Sequence, residues 1–215
     1  MLAKPLGALE ARFSRAEHLF DRATKQTSST GLSRLEHWHN CEGLVSFVWQ
    51  SWGAFCREAT MLSMLGTTTT SSTLVATHPE ATGSDRICYL VKCSFLGHPV
   101  KPHRVIVDYW KEVTWGDIAA LAQFFSTYMP ANHMELRAGL AYPTLAPGHL
   151  RTIRNASAHL SQGSMSDARS LQAYYRGSAL RHPVDLIFLR SRSSGEIAFL
   201  DWMADLRFVA QRMCQ

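Results

Sequence analysis

The stretch LVSFVWQSWGAFCREATMLSML, Leu44 to Leu65, decides how this chain folds. Its apolar residues (Leu44, Val45, Phe47, Val48, Trp49, Trp52, Phe55, Met61, Leu62, Leu65) neither alternate as in a half-buried strand nor keep to one side of a helix. A helix that is apolar on more than one side has to be covered on more than one side, which places this segment at the middle of a helical bundle. Gln50, the serines and the pair Arg57-Glu58 interrupt it well before the roughly 18 continuous apolar residues that a membrane span requires.

The flanking sequence extends the helical pattern. Residues 8–26 carry Leu9, Phe13, Ala16, Leu19, Phe20 and Ala23 at helical spacing. The breaker TSSTG, ending at Gly31, divides this helix from a second one that starts near Leu32 or Asn40 and runs to Leu65. TTTTSST, residues 67–73, reads as a loop. The composition then changes. ICYLVKCSFLG (87–97) and HRVIVDYW (103–110) are rich in β-branched and aromatic residues, which predicts two strands of a small hairpin within an insertion at about 74–113. On such a strand Cys88 and Cys93 face opposite sides, one to the core and one to the surface.

Helical spacing returns in WGDIAALAQFFSTYM (115–129), which stops at Pro130, and in MELRAGLA (134–141), which closes before Pro143. Pro147-Gly148 opens a further helix, because proline is accommodated in a first turn. SQGSMSD (161–167) reads as a serine-rich break, with Ser166 as the cap of DARSLQAYYRG. DLIFLR (185–190) fits either a strand or a helix. SSGEIAFLDWMADLRFVAQRM (193–213) forms a closing amphipathic helix with Ile197, Leu200, Met203, Leu206, Val209 and Met213 along one side. The sequence shows no internal repeat and no linker long enough to force two domains. The expectation is a single, mainly α domain over 1–215, a helical bundle with a small β-hairpin-containing insertion.

With 46% hydrophobic and 18% charged residues, the 215-residue chain has the composition of a soluble globular protein with enough length to bury a core. MLAKPLGALEARFSRAEHLFDR lacks a continuous apolar run and a cleavage site, and its Glu10, Glu17 and Asp21 are foreign to a transit peptide. A cytoplasmic location without membrane attachment is expected. The five cysteines (Cys41, Cys56, Cys88, Cys93, Cys214) are scattered with no CxxC pair, which suits reduced structural thiols.

Charge placement is more telling than the net charge of +5 and pI of 9.1. Between Leu136 and Ser194 stand eight arginines (137, 151, 154, 169, 176, 181, 190 and 192), no lysine, and two acids, Asp167 and Asp185. That local surplus of six exceeds the charge of the whole chain. Arginine presents a planar fork that grips phosphate bidentately, so the surplus points to a polyanionic partner; the alternative is a solvated basic face.

Within this window lies HLRTIRNASAH, residues 149–159. At about 100° per residue, Ile153, Ala156, Ser157 and Leu160 fall on the side opposite Arg151, and Arg154, Asn155 and His159 fall within a polar sector flanking it. No carboxylate occurs between Leu136 and Ser166 to neutralise that sector, although exposed helix faces are ordinarily supported by acid–base pairs. A bound anion would neutralise it. Cutting RNA by its own 2′-hydroxyl requires a base, an acid and donors for the charge growing on phosphorus. Histidine serves as acid or base near neutrality, and arginine supplies fixed donors. Asn155, four residues before His159, could orient the ring or bond the phosphate, and Arg151 is expected to contact phosphate generally. No metal or other cofactor is needed in this scheme. One histidine cannot easily act as base and acid in one step, so the chemistry predicts a homodimer that brings two such faces to one cleft. The structural alternative is that His159 simply ends a surface helix.

Arg154-Asn155-x-x-x-His159, preceded by Leu150 and Ile153 and ending in Ala156-Ser157-Ala158-His159, resembles the signature of the HEPN superfamily (higher eukaryotes and prokaryotes nucleotide-binding). The resemblance implies an α-helical bundle, a homodimer with a composite active site, and metal-independent cleavage of RNA to a cyclic phosphate. In that reading Arg154 and His159 are catalytic, and Asn155 and Arg151 bind substrate. It further implies a toxin or antiphage-defence effector, with an antitoxin or defence-system partner protein. The rival is a HEPN-like subunit that binds RNA or protein without cleavage.

Other clusters carry less. His37, His39 and Cys41 share spacing that a metal site could use, but no distant partner pair accompanies them, and packing at a helix start accounts for them. Tyr174 and Tyr175 beside Arg169 and Arg176 could stack on bases or simply end a helix. Tryptophans 38, 49, 52, 110, 115 and 202 are core candidates.

Overall fold

The computed structural model describes residues 1–29, 33–108 and 111–215. Gly31, Leu32 and Trp110, which the sequence assigns to a breaker, a helix start and the core, lie outside the described residues. The fold is mainly helical, as expected. The helices are α1 (Ala3–Ser29), α2 (Arg34–Leu65), α3 (Ser84–Leu96), α4 (Ile118–Tyr128), α5 (His133–Leu140), α6 (Ala146–Ala158), α7 (Gln162–Ser170) and α8 (Ala198–Met213). Four two-residue strands, β1 (Thr67–Thr68), β2 (Leu74–Val75), β3 (Tyr175–Arg176) and β4 (Arg190–Ser191), form two small antiparallel pairs. None of the described helices is long and apolar enough to cross a membrane. The chain divides into two compact units, one of Met1–Leu9, Trp52–Pro143 and Phe208–Gln215, the other of Glu10–Ser51 and Thr144–Arg207.

In the first unit the C-terminal half of α2 is apolar on several sides and buried accordingly, with Trp52, Phe55, Cys56, Ala59 and Met64 at 2% exposure or less. Residues 67–73, read as a loop, instead begin a short hairpin, Thr67 opposite Val75 and Thr68 opposite Leu74. The larger correction is at 87–97. The predicted strand is α3, and its buried residues, Arg86 through Val91 and Cys93, lie on more than one side of the helix. Both cysteines are therefore in the core. Gly97, in the left-handed region at φ 64°, closes the helix. The second predicted strand is absent among its described residues, 103–108. Arg86 takes the place of a strand partner: its Nη1 donates to the carbonyls of Lys101 (2.8 Å) and Arg104 (3.0 Å) while its Nη2 pairs with Glu80 (2.9 Å). Arg57 grips Glu112 through two bonds of 2.7 and 2.8 Å, and Trp115 donates to the same carboxylate at 2.7 Å. The Arg57 guanidinium holds the Glu112 carboxyl below the usual range. Helices α5 and α8 approach closely at Gly139, where a Cβ would sit 2.9 Å from both the Met213 nitrogen and the Val209 carbonyl oxygen.

In the second unit Phe13, Ala16 and Phe20 of α1 are buried, while Leu19 remains 39% exposed. Phe20 stacks between Phe199 (4.5 Å between centroids) and Phe188 (5.2 Å). Arg207 of α8 bonds Glu10 and Glu17 of α1 and lies over the Phe13 ring. The predicted break SQGSMSD is itself α7, and its cap is Ser161 rather than Ser166: Ser161 Oγ accepts from the Ser164 N–H (3.1 Å) while Ser164 Oγ accepts from the Ser161 N–H (3.0 Å). Every residue of this box is polar, which is why the stretch read as loop. DLIFLR resolves into the end of a 3-10 helix, Pro183–Phe188, followed by β4, which pairs with β3. The closing helix begins at Ala198, and Phe199 and Trp202 join Met203 and Leu206 in the core.

Candidate functional site

Helix α6 carries every residue of the predicted site except His159, which caps its C-terminus. Its start is fixed by a relay. Thr144 Oγ1 donates to Asp205 (2.5 Å) and accepts from the Ala146 N–H (3.0 Å). Pro147 follows in the first turn, as the sequence suggested. The inner face, Leu150, Ile153 and Ala156, is at most 1% exposed. Leu160, placed on that face by an unbroken helix, is 63% exposed because the helix has already ended.

His149 also belongs to the inner face. It is 6% exposed and its Nδ1 lies 2.6 Å from the Tyr175 hydroxyl, which accepts the Trp202 indole N–H at 2.8 Å. That leaves the phenol hydrogen for Nδ1, so the imidazole is an acceptor there and neutral. Burial pushes its pKa down to about 4 and raises that of Tyr175. The sequence reading overlooked His149, although the helical wheel that buries Ile153 and Ala156 puts position 149 beside them.

On the outer face Arg151 and Asn155 are exposed and Arg154 is half-buried. Arg154 Nη1 donates to Asn155 Oδ1 at 3.1 Å, and no carboxylate bonds it among the described residues. The asparagine amide therefore holds the arginine rather than the histidine ring. Its backbone does engage the histidine: the His159 N–H donates to the Asn155 carbonyl at 3.0 Å. At His159 the chain leaves the helix (φ −132°, ψ 67°), so the separation of about 140° that an ideal helix imposes between positions 154 and 159 no longer applies. The His159 carbonyl then accepts from Ser164 Oγ at 2.6 Å. Its backbone is thus held from both sides, by the last turn of α6 and the first of α7, while its side chain stands in solvent.

Six further positions complete the basic window. Arg169, Arg176, Arg181, Arg190 and Arg192 are exposed in this same unit, and Arg137 is exposed on α5 of the other. Asp185, half-buried, lies in the same unit. Its carboxylate accepts the Trp38 indole N–H (2.9 Å) and the backbone N–H groups of Arg181 and His182 (2.8 Å each). Tyr175 is buried, which leaves Tyr174, 49% exposed and packed against the His149 ring, as the tyrosine able to meet a base.

The His37–Cys41 stretch serves packing. His37 stacks on Phe188 and sits 3.8 Å from the Cys41 sulfur, whose thiol burial pushes up to about 12. His39 pairs with Glu42 (3.0 Å), and Trp38, half-buried, stacks on His182. Among the described residues no group of three His, Cys, Asp or Glu side chains is arranged to hold a metal ion.

No family model matches this chain, and neither the curated proteins nor the solved structures contain a match.

Proposed function

We propose that the protein is a metal-independent endoribonuclease of the HEPN type, working as a homodimer in the cytoplasm. The observation that supports this reading best is the end of α6: an arginine bonded by no carboxylate among the described residues and hydrogen-bonded to Asn155, followed five residues later by a histidine whose backbone is fixed and whose ring faces solvent.

In this scheme Arg154 donates to the non-bridging phosphoryl oxygens, where its charge is most effective as negative charge accumulates. One His159 removes the proton of the 2′-hydroxyl, whose oxygen attacks phosphorus. The bond to the 5′-oxygen breaks, and the His159 of a second copy protonates that oxygen. The products are a 2′,3′-cyclic phosphate and a 5′-hydroxyl. Arg151 and the exposed arginines on α7 and the β3–β4 pair draw RNA to the site by their charge. The resemblance to HEPN effectors extends the proposal to a toxin or antiphage-defence role, restrained or triggered by a partner protein.

Product chemistry tests it. RNA cut in the presence of EDTA should end in cyclic phosphates and 5′-hydroxyls, and a single 2′-deoxy substitution should block cutting at that position. Ends bearing a 3′-hydroxyl and a 5′-phosphate would refute the mechanism. RNA binding without any cleavage would favour the rival, a non-catalytic RNA-binding subunit.

A further inference from the structure

A second basic feature lies within the same unit, in a cleft of about 520 Å³ lined by α1 and α2. That volume is in the range of small-molecule sites. Its apolar lining is formed by Leu19, Leu44 and Phe47, and its cations are Arg15 and Arg22, seven residues apart on α1.

Two observations single out this cleft. The acids of α1 and α2 in this unit are all committed elsewhere: Glu10 and Glu17 to Arg207, Asp21 to Lys25, Glu36 to Ser33, and Glu42 to His39 and His182. Arg15 and Arg22 are left without a hydrogen-bond or ion-pair partner among the described residues, and the stretches 30–32 and 109–110 contain no acid. The other observation is Gly43. A glycine inside a helix is costly and is ordinarily repaid by close packing. At Gly43 a Cβ would meet nothing within 4 Å, and the residue lines the cleft. Gly43 is exposed on the cleft wall, so a larger side chain there would enter the cleft without displacing protein atoms.

We propose that this cleft binds an amphipathic anion, a phosphate, sulfonate or carboxylate head on a hydrocarbon or aromatic body. The guanidinium forks of Arg15 and Arg22 take the head, Leu19, Leu44 and Phe47 cover the body, and Gly43 gives it room. This site is independent of the ribonuclease reading.

The test is titration of the purified protein with octyl phosphate below its micellar concentration, followed by backbone amide NMR and calorimetry. Octyl glucoside and inorganic phosphate serve as the neutral-head and bodiless controls. The expected result is saturable binding at one site, with shifts concentrated in residues 15–23 and 40–47 and both controls at least tenfold weaker. Arg15→Gln with Arg22→Gln should weaken binding about tenfold or more. Gly43→Leu should do the same with an unchanged circular dichroism spectrum, since its side chain enters open space. Sedimentation with phosphatidylglycerol vesicles distinguishes the source of the ligand. Arginine-dependent binding to vesicles assigns the head to a lipid surface, and octyl phosphate binding without it assigns a free ligand. Equal affinity for octyl glucoside, shifts elsewhere in the molecule, or full affinity in both variants would overturn the proposal.

Discussion

Lowering the pH should destabilise this protein through His149, and the structure sets both the window and the size. The imidazole is buried, accepts the Tyr175 hydroxyl at Nδ1, and has its pKa pushed down to about 4 by burial. In the unfolded chain the same group titrates near 6.5. Above that value it is neutral in both states and contributes no pH dependence. Between pH 6.5 and 4 the unfolded state holds the extra proton, so stability falls as pH falls; below about 4 the effect is complete. At about 1.4 kcal/mol per pH unit across that interval, the loss is about 3 kcal/mol. Urea unfolding at half-unit steps from pH 7.5 to 4 measures it. His149→Asn supplies an oxygen in place of Nδ1 and removes the titration, so the wild-type curve should converge on the variant's as the pH drops. Other acid-sensitive contacts, such as Arg57–Glu112, are common to both proteins and cancel in the difference. If the two curves run parallel from pH 7 to 4, His149 is not held neutral and its assigned role at the root of α6 is wrong.

Three other outcomes follow from particular contacts. Gly139→Ala forces a Cβ against backbone atoms of α8 that have nowhere to move and should cost about 2 kcal/mol or more, read as a lowered melting temperature with an unchanged spectrum after refolding. Ser164→Ala removes both its half of the capping box and the bond to the His159 carbonyl; it should cost about 1 kcal/mol and reduce RNA cleavage several-fold, whereas a purely structural Ser164 would leave cleavage unchanged. Glu112→Gln should destabilise by about 1–2 kcal/mol at neutral pH, and because the Glu112 carboxyl is held below its usual range, this difference should vanish as pH falls through its folded value. A chemical-denaturation series at pH 7 and pH 3 measures it.

The parts of this fold that were legible in the sequence are those where one physical signal acts alone. The C-terminal half of α2 announces its burial by being apolar on several sides, and Pro147 marks the start of α6 whatever surrounds it. The segment 87–97 misled because its side-chain types favour a strand while its nearly continuous apolar run fits either element. Its β-branched and aromatic residues suggest a strand, but Arg86 through Val91 are all buried, as in a helix covered on several sides, and Gly97 closes that helix in the left-handed region. Helix α7 was hidden for a different reason. Both members of its capping box are serines, so Ser161 and Ser164 look like loop until their reciprocal bonds are seen. At the candidate site the arginine, asparagine and histidine could be read from the chain, as could the lack of acids in the surrounding sequence. The two bonds that fix the His159 backbone, and the Tyr175 and Trp202 partners of His149, join residues whose pairing only the tertiary fold determines.

The central claim, that the corner at the end of α6 cuts RNA, is most directly tested by incubating a labelled mixture of tRNA and mRNA with wild type, Arg154→Ala and His159→Ala in EDTA, each shown by circular dichroism to be folded. Both side chains lie outside the buried face of α6, so neither substitution should unfold the protein. The account predicts cleavage by wild type and a loss of at least a hundredfold in each variant. Equal cleavage by all three, or none by any, would contradict it and return Arg154 and His159 to the role of an ordinary helix end.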